Sequence, residues 1–502
     1  MKILLVYPKY PETFWSFKYA LKFISKKASL PPLGLLTVAA MLPAEWDLRL
    51  MDMSVKKLTD SQLQWADYVF LSAMSIQKDS ALSVISRCKA QGVKVIAGGP
   101  LFTATPEEFA DVDHLILNEA EVTLPLFLED LKNGSARRVY TSAQWADLKT
   151  TPIPRFDLLG RSRGKYASMN IQYSRGCPYD CEFCNITVLY GRTPRTKSGA
   201  QLLAEFESLF SAGWRNGVFI VDDNFIGNKG KLKKEVLPAL ISWMEQRKHP
   251  FTLSTEVSIN LADDEELMRL MVRAGFNTVF VGIETPNEES LAECSKVQNR
   301  NRDLIASVKK IQRAGLEVQA GFIVGFDMDP ASIFERLIVF IQESGIATAM
   351  VGLLNAPQGT RLYHRLKSEG RLVKSVTGDN TDFSINFVPR MPPEVLMNGY
   401  RKIISTIYSP KHYYARVREF LKEYRPAQLR KPRFRWSHAK AAVKAVVRLG
   451  IIGRERYHYW KLFFWSLLFR PHLLSLAITH AIYGYHFRKI FKRHEKLRGM
   501  GA

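Results

Sequence analysis

Three of the five cysteines fall within one segment, Cys177-Pro178-Tyr179-Asp180-Cys181-Glu182-Phe183-Cys184, and this segment decides the interpretation of the fold. Thiolates spaced this closely can bind one metal centre. Structural zinc takes four ligands, yet no histidine lies between His114 and His249. An iron–sulfur cluster is usually held by four cysteines, and three would leave one iron open to a substrate. We expect such a cluster; the alternatives are zinc with a distant fourth ligand and accidental clustering.

The cysteine segment directly follows the first of six predicted strands. These strands are 168–174, 217–222, 251–257, 278–283, 317–324 and 348–354. Helical stretches separate them, and Ser198 with Gln201 forms a capping box at the start of one. Six strand–helix units within residues 151–360 predict an open or partial parallel barrel, of the (βα)6 kind, with its chemistry at the carboxyl ends of the strands.

Residues 1–150 alternate short apolar strands with helical patterns, which predicts a Rossmann-like, doubly wound α/β domain. Thr105 and Glu108 form a capping box that predicts a helix from Pro106. No G-x-G-x-x-G follows the first strand, which argues against a dinucleotide site. A ligand is expected at the carboxyl ends of the strands.

The C-terminal region, residues 361–502, is predicted to be helical and strongly basic. The whole chain has a net charge of +23, and residues 401–502, with 24 Lys and Arg against 4 Asp and Glu, carry +20 of it. Apolar residues make up 46% of the chain and charged residues 24%, a globular composition. An anionic partner, if there is one, is therefore expected at the C-terminal region.

At its cysteine segment the chain resembles the radical S-adenosylmethionine (SAM) superfamily, whose signature is C-x3-C-x2-C. Cys177, Cys181 and Cys184 have this spacing, and Phe183 supplies the aromatic residue before the last cysteine. The resemblance implies a [4Fe-4S] cluster whose open iron binds the amino and carboxylate groups of SAM. It further implies one-electron cleavage of SAM to a 5′-deoxyadenosyl radical, which takes a hydrogen atom from the substrate.

The resemblance also implies cofactor contacts at the strand ends. The methionine amino group is expected at the second strand end, where an acidic pair replaces the usual Gly-Gly-Glu-like stretch. The ribose hydroxyls are expected at Glu256, and the adenine close to Gly325. The full set of expected contacts is Phe183, Asp222, Asp223, Asn224, Glu256, Glu284 and Gly325. No catalytic residue is assigned.

The first domain resembles the cobalamin-binding domain of cobalamin-dependent radical SAM enzymes, and the likeness covers about residues 1–360. It rests on Pro32-Leu33-Gly34-Leu35, Gly98-Gly99-Pro100 and Asn118-Glu119-Ala120-Glu121. The D-x-H-x-x-G motif that supplies an axial histidine is absent, because Asp113-His114 does not complete it. We expect cobalamin without a protein histidine on cobalt; the alternative is a domain that has lost the corrin. The expected cofactor contacts are Ser72, Met74, Gly98, Gly99 and Pro100.

These features predict a cobalamin-dependent radical C-methyltransferase that acts on an unactivated carbon of a hydrophobic, lipid-like substrate. An sp3 carbon is not nucleophilic, so hydrogen abstraction must precede methyl transfer. The C-terminal region, with Ile407-Tyr408-Ser409-Pro410, resembles that of hopanoid-type lipid methylases. The alternatives are a radical SAM oxidative cyclase or carbon–carbon coupling enzyme and, in another class, an RNA-modifying or RNA-binding protein that uses the basic tail.

Expected partners follow from the same features: an external one-electron reductant of flavodoxin or ferredoxin type, and no nucleic acid. The apolar stretch after Met1-Lys2 is too short for a signal peptide, which predicts a cytoplasmic protein. Residues 457–485 are aromatic and apolar, flanked by basic residues and interrupted at Arg470-Pro471. This pattern predicts peripheral contact with an anionic membrane at its inner face; the alternative is a helical cap packed on the barrel.

Overall fold

The computed structural model describes residues 1–427, 429 and 436–499. The chain forms two compact units: unit 1 is Met1–Pro11, Lys27–Pro178 and Asn185–Asn216, and unit 2 is Glu12–Lys26, Tyr179–Cys184 and Gly217–Ala502. The domain boundaries 1–150, 151–360 and 361–502 stay predictions, and residues 428, 430–435 and 500–502 of the third domain lie outside the described residues.

The α-helices are α1 Lys18–Leu21, α2 Leu33–Met41, α3 Asp60–Trp65, α4 Lys78–Ala90, α5 Pro100–Ala104, α6 Ala120–Lys132, α7 Ile186–Tyr190, α8 Gly199–Ser211, α9 Lys229–Lys231, α10 Leu237–Gln246, α11 Glu265–Arg273, α12 Glu288–Glu293, α13 Leu304–Arg313, α14 Ile333–Ser344, α15 Arg361–Ser368, α16 Pro393–Ile407, α17 Pro410–Glu423, α18 Trp436–Ala445, α19 Arg456–Phe469 and α20 Leu474–Gly499.

Unit 1 contains the predicted doubly wound sheet. Its strands are β1 Lys2–Tyr7, β2 Asp47–Asp52, β3 Tyr68–Ser72, β4 Lys94–Gly98, β5 His114–Ile116 and β6 Val139–Tyr140. All pairs are parallel, in the order β2-β1-β3-β4-β5-β6. Alternate residues of β1 pack into two apolar clusters, Leu4 and Val6 in one, Ile3 and Leu5 in the other. The sheet is therefore covered on both faces, and the strand order reverses between β1 and β3.

The predicted helix from Pro106 is wrong. Only a three-residue 3-10 turn, Pro106–Glu108, forms there, and the Thr105 side chain makes no capping hydrogen bond to it. The hydroxyl of Thr105 instead donates to the carbonyl of Leu101 in the preceding helix α5, at 3.4 Å. Because the Thr105 hydroxyl bonds to the last turn of α5, it does not cap a new helix at Pro106.

All six strands predicted for the second α/β domain are present. Within unit 1 these include β7 Ser168–Ile171, followed by the short antiparallel pair β8 Ser174–Arg175 and β9 Arg195–Thr196. The other five form a parallel sheet in unit 2: β10 Gly217–Ile220, β11 Thr252–Val257, β12 Phe276–Glu284, β13 Glu317–Val324 and β14 Ala349–Leu353. Ser198 and Gln201 form the predicted capping box at α8. Strand–helix alternation places the carboxyl ends of β10–β14 at one edge.

The C-terminal helices of unit 2 have an aromatic core. The ring of Phe487 on α20 stacks on Phe14 with centroids 4.2 Å apart, and the Arg416 guanidinium is buried against the rings of Tyr408 and Tyr413. The predicted break at Arg470-Pro471 separates α19 from α20. Much of α20 is buried. For this helix the structure agrees with the alternative interpretation, a packed helical cap. Among the described residues, no helix is long and apolar enough to span a membrane.

Candidate cofactor sites

Three carboxylates meet at the carboxyl ends of β10 and β11. Asp222 is buried, whereas Asp223 and Glu256 are half-buried. Burial and the negative charges of Asp223 and Asp222 raise the pKa of Glu256 to about 8. Such a cluster favours a cationic ligand, because a positive group compensates the crowded negative charges. The positively charged methionine end of SAM, predicted to bind here, has the required chemistry.

Asn224 connects these two strand ends. Its side-chain oxygen accepts a hydrogen bond from the backbone N–H of Ser258 at 3.2 Å. The Ser258 hydroxyl in turn donates to the side chain of Asn260, whose amide donates to the Tyr179 hydroxyl at 2.9 Å. Asn224 therefore belongs to a polar chain that reaches the cysteine segment, and its contact with a cofactor stays a prediction.

Glu284 closes β12 in a left-handed backbone conformation, with φ of 63°. Its carboxylate accepts from the Lys296 ammonium at 2.6 Å, and both side chains are largely buried. The pKa of Lys296 is raised by the negative charges of Glu284, Cys181 and Cys184, which outweigh its burial. Lys296 is thus a cation close to two of the cluster cysteines.

None of the three cysteines of the motif forms a disulfide among the described residues. Cys181 is buried, and the Gln298 side-chain amide donates to its sulfur at 3.9 Å. The Cys184 N–H donates to the Cys181 carbonyl at 3.0 Å, which forms a tight turn. An N–H donor and a nearby ammonium suit a thiolate that carries a metal. These residues fit the implied cluster.

Among the described residues, no group of three His, Cys, Asp or Glu side chains converges as the ligands of a single metal ion. A [4Fe-4S] cluster does not require that arrangement, because each cysteine thiolate binds a different iron.

Phe183, within the cysteine segment, and Gly325, directly after β13, both make packing contacts with other parts of the protein. Phe183 packs against the apolar cluster that includes Cys294 and Phe326, with 6.2 Å between the two ring centroids. A Cβ at Gly325 would lie 3.2 Å from a methyl group of Leu396 on α16, so that side of the backbone is filled by protein. Their contacts with SAM stay predictions.

In unit 1, the loops after β3 and β4 pack tightly together. A Cβ at Gly99, where φ is +95°, would lie 2.7 Å from the Ser72 hydroxyl, and one at Gly98 would lie 2.7 Å from the Ile116 carbonyl. Helix α5 begins at Pro100, and its Leu101 N–H donates to the Ala73 carbonyl at 3.0 Å. These residues form one closely packed platform at the carboxyl edge of the sheet.

The buried residue Gln77 joins this platform to the end of β1. Its side-chain amide donates to the Pro8 carbonyl at 2.7 Å, and its oxygen accepts from the Met74 N–H at 3.0 Å. The Met74 side chain is 38% exposed. The strand order reverses between β1 and β3. At the carboxyl edge there, residues Ser72 to Met74 present a small, uncharged surface, which suits a bulky, largely apolar ring such as the predicted corrin.

Family models match three successive parts of the chain. The B12 binding domain matches residues 23–128, the Radical SAM superfamily matches 171–341, and a domain of unknown function, DUF4070, matches 360–498. An uncharacterized methyltransferase of Synechocystis sp. is 43% identical over 97% of this chain and 91% of its own. The Hopanoid C-2 methylase of Rhodopseudomonas palustris is 33% identical over 93% of this chain and 89% of its own. This chain belongs to the family of cobalamin-dependent radical SAM methyltransferases.

Solved structures agree on the fold. The cobalamin-dependent SAM radical enzyme OxsB with aqua-cobalamin bound has a TM-score of 0.62 at 16% identity, covering 100% of this chain and 81% of its own. The radical SAM methyltransferase TsrM of Kitasatospora setae, with cobalamin and a [4Fe-4S] cluster, has a TM-score of 0.59 at 13% identity, covering 92% and 98%. The cofactors of this radical SAM methyltransferase are therefore a [4Fe-4S] cluster, SAM and cobalamin, as predicted.

Sequence reasoning missed several residues beside the predicted sites. Lys296, Gln298 and Gln77 were not predicted, because single polar residues in loops have no distinctive spacing. Glu182 lies within the cysteine motif, but its sequence context indicates no role for it. The structure pairs Glu182 with Arg365 of the C-terminal region, at a sequence separation that no local pattern reveals.

Proposed function

We propose that this methyltransferase transfers a methyl group to an unactivated carbon of a hydrophobic, hopanoid-type lipid. The observation that carries the proposal is the 33% identity to the Hopanoid C-2 methylase over 93% of this chain, a coverage that must include much of the C-terminal region. An oxidative cyclase or coupling enzyme would use the same cofactors, but the two relatives described above are named as methyl-transferring enzymes.

When bound, the cluster, SAM and cobalamin supply a low-potential electron, a radical precursor and a methyl group. Cys177, Cys181 and Cys184 would hold the cluster in this proposal. The carboxylates of Asp222 and Asp223 would accept hydrogen bonds from the SAM ammonium, and that of Glu256 would accept from the ribose hydroxyls. The platform at Ser72, Met74 and Gly98-Gly99-Pro100 would support the corrin.

Product mass after anaerobic turnover tests this proposal. The reconstituted enzyme, SAM, a flavodoxin-type reductant and a hopanoid are incubated together, with Cys181→Ala as the inactive control. We expect the product to gain one methylene unit. A loss of hydrogens would establish the cyclase alternative, and an unchanged hopanoid with rapid formation of 5′-deoxyadenosine would overturn the assignment of the substrate.

We further propose that α19 attaches the enzyme to an anionic membrane surface. Phe464, Leu467 and Leu468 have the i, i+3, i+4 spacing of one helix face, and they are 53%, 43% and 74% exposed. Phe469, the last residue of α19, is 67% exposed, and the exposed Lys461 lies one turn before Phe464. Bulky apolar side chains next to a basic residue suit the boundary between lipid headgroups and acyl chains.

Flotation with vesicles tests the membrane proposal. The full chain should float with phosphatidylglycerol vesicles and remain largely in the soluble fraction with phosphatidylcholine vesicles. The variant Phe464→Glu/Leu468→Glu should lose flotation, whereas Val339→Glu, at an exposed apolar residue of α14, should keep it. If the double variant floats as well as the unchanged protein, this face does not bind membranes.

A further inference from the structure

The residue between Cys181 and Phe183 is an acid that the structure holds from several sides. Glu182 is 7% exposed. Its N–H donates to the Cys294 carbonyl at 2.9 Å, and its carbonyl accepts from the Leu362 N–H at 3.0 Å. Both partners lie outside the cysteine segment, and Leu362 belongs to α15, at the start of the C-terminal region.

The carboxylate of Glu182 is held by another residue of α15. Arg365 donates to it through two nitrogens, Nε to Oε1 at 2.7 Å and Nη2 to Oε2 at 3.1 Å. This two-bond geometry fixes the direction of the carboxylate as well as its distance. Removal of the arginine would leave the buried carboxylate without a compensating charge, which is strongly destabilising.

The guanidinium of Arg365 is itself fixed by other acids. It donates to Asp327 at 2.9 Å and to Glu293 at 3.3 Å. Arg371 donates to the same Asp327 through two bonds, at 2.6 and 2.8 Å, and these cations lower the pKa of Asp327 to about 2. Arg365 is therefore a preorganised group with one orientation rather than a mobile surface side chain.

We propose that α15 acts as a clamp on the cysteine segment, residues 177–184. Arg365 is the positioning residue of this clamp: it fixes Glu182 and thereby the thiolates of Cys181 and Cys184. The inference rests on the cluster assignment and not on the identity of the substrate. It gives the first helix in the region matched by DUF4070 a function: cluster assembly requires this helix. No sequence pattern around the cysteines indicates it, because the partner comes from a separate part of the chain.

Substitutions at both ends of the ion pair test the clamp in the full-length protein. Arg365→Gln and the nearly isosteric Glu182→Gln should each lower iron and sulfide per chain at least twofold after anaerobic reconstitution, and should alter the EPR spectrum of the reduced cluster. Arg365→Lys keeps the charge but loses the two-bond geometry, so it should retain intermediate iron. Arg313→Gln, which breaks a more exposed 2.7 Å pair with Glu423 on α17, is the control for loss of an arginine ion pair and should keep full iron content.

The apoprotein gives a readout that is independent of the loaded enzyme. Hydrogen–deuterium exchange of a peptide covering 177–184 should become faster in Arg365→Gln and Glu182→Gln, while peptides from β10–β14 remain unchanged. Faster exchange throughout the unit would mean that Arg365 stabilises the fold generally, and this would overturn the positioning role. Full iron content, an unchanged EPR spectrum and unchanged exchange in both variants would also overturn it. Intact clusters combined with failure to methylate a hopanoid would count against the proposed substrate only.

Discussion

Gly282 lies directly beneath the ion pair between Lys296 and Glu284. A Cβ at residue 282 would lie 2.7 Å from the Lys296 ammonium nitrogen, which is closer than side-chain contacts allow. The register of β12 with β13 shifts between Gly282 and Glu284, so an irregularity of the strand lies beside this ion pair. The absence of a side chain at residue 282 leaves room for this cation near the cluster cysteines.

Gly282→Ala should therefore separate Lys296 from Glu284. We expect a loss of unfolding free energy of about 1–3 kcal/mol, because the added methyl group overpacks a buried site. Chemical denaturation of the apoprotein measures this change. Gly230→Ala is the control, since a Cβ there meets its first atom at 3.9 Å and should be neutral or slightly stabilising. Equal stability of the two variants would mean that the pair moves aside without cost.

Glu256 should make SAM binding dependent on pH. Its pKa of about 8, raised by burial, Asp223 and Asp222, means that it is largely protonated at neutral pH before the ligand binds. Ionised carboxylates attract the positive charges of SAM, so the affinity should first rise as the pH approaches about 8. It should fall again at higher pH, because the SAM ammonium that Asp222 and Asp223 would bind loses its proton. Isothermal titration at several pH values measures this. Glu256→Gln should remove the rise in affinity below pH 8, whereas Glu265→Gln, at an exposed carboxylate, should leave the profile unchanged.

The raised pKa of Glu256 also predicts whether the free energy of unfolding rises or falls with pH. Its pKa in the folded protein is raised from 4.5 to about 8, so between these values the folded chain keeps a proton that the unfolded chain has lost. The free energy of unfolding should therefore fall as the pH rises across this window. In Glu256→Gln this contribution disappears, and the apoprotein should be more stable than the unchanged protein at pH 8. A lower melting temperature of the variant at that pH would contradict the charge assignment.

The fold was largely predictable because buried parallel strands are short apolar runs with helices between them. The second domain shows this clearly: the predicted strand 317–324 coincides with β13 and 217–222 begins at the first residue of β10. Predictions of helix starts were less secure, as Thr105 shows, because a hydroxyl can bond backward or forward depending on the neighbouring helix. Local sequence patterns therefore predict which strands and helices form, whereas the residues at which these elements begin and end depend on contacts with neighbouring elements.

The candidate sites were predictable only where chemistry is concentrated in one segment. Cys177, Cys181 and Cys184 could be named from spacing alone. By contrast, Arg365 lies 183 residues from Glu182, and the contact between them depends on the packing of α15. Lys296 is likewise one lysine among many until the fold places it beside Glu284. Interactions that orient a loop are long-range, and a single sequence contains no record of them.

Each cysteine of the motif should be required for the cluster. Replacing Cys177, Cys181 or Cys184 by alanine should lower the iron content of the anaerobically reconstituted protein and abolish reductive formation of 5′-deoxyadenosine from SAM. Cys88→Ala is the matched control, because this buried thiol packs in the apolar core of unit 1. Formation of 5′-deoxyadenosine by the triple variant would show that another group binds the cluster.

Cobalamin should bind this protein without a histidine on cobalt. His114 is the only histidine before His249, and it is the first residue of β5. It therefore lies at the amino edge of the sheet, opposite the carboxyl ends that form the platform. Its Nδ1 lies 2.7 Å from the Arg137 carbonyl, which gives the ring a structural partner there.

Electron paramagnetic resonance of the cob(II)alamin form decides this point. We expect no nitrogen superhyperfine splitting from an axial imidazole, and His114→Ala should leave both the spectrum and the affinity for cobalamin unchanged. Gln77→Ala should instead weaken cobalamin binding, because the loops at Pro8 and Met74 lose the side chain that joins them. Nitrogen splitting that disappears in His114→Ala would contradict the placement of the corrin at the carboxyl edge, since the ring of that histidine cannot reach there from the start of β5.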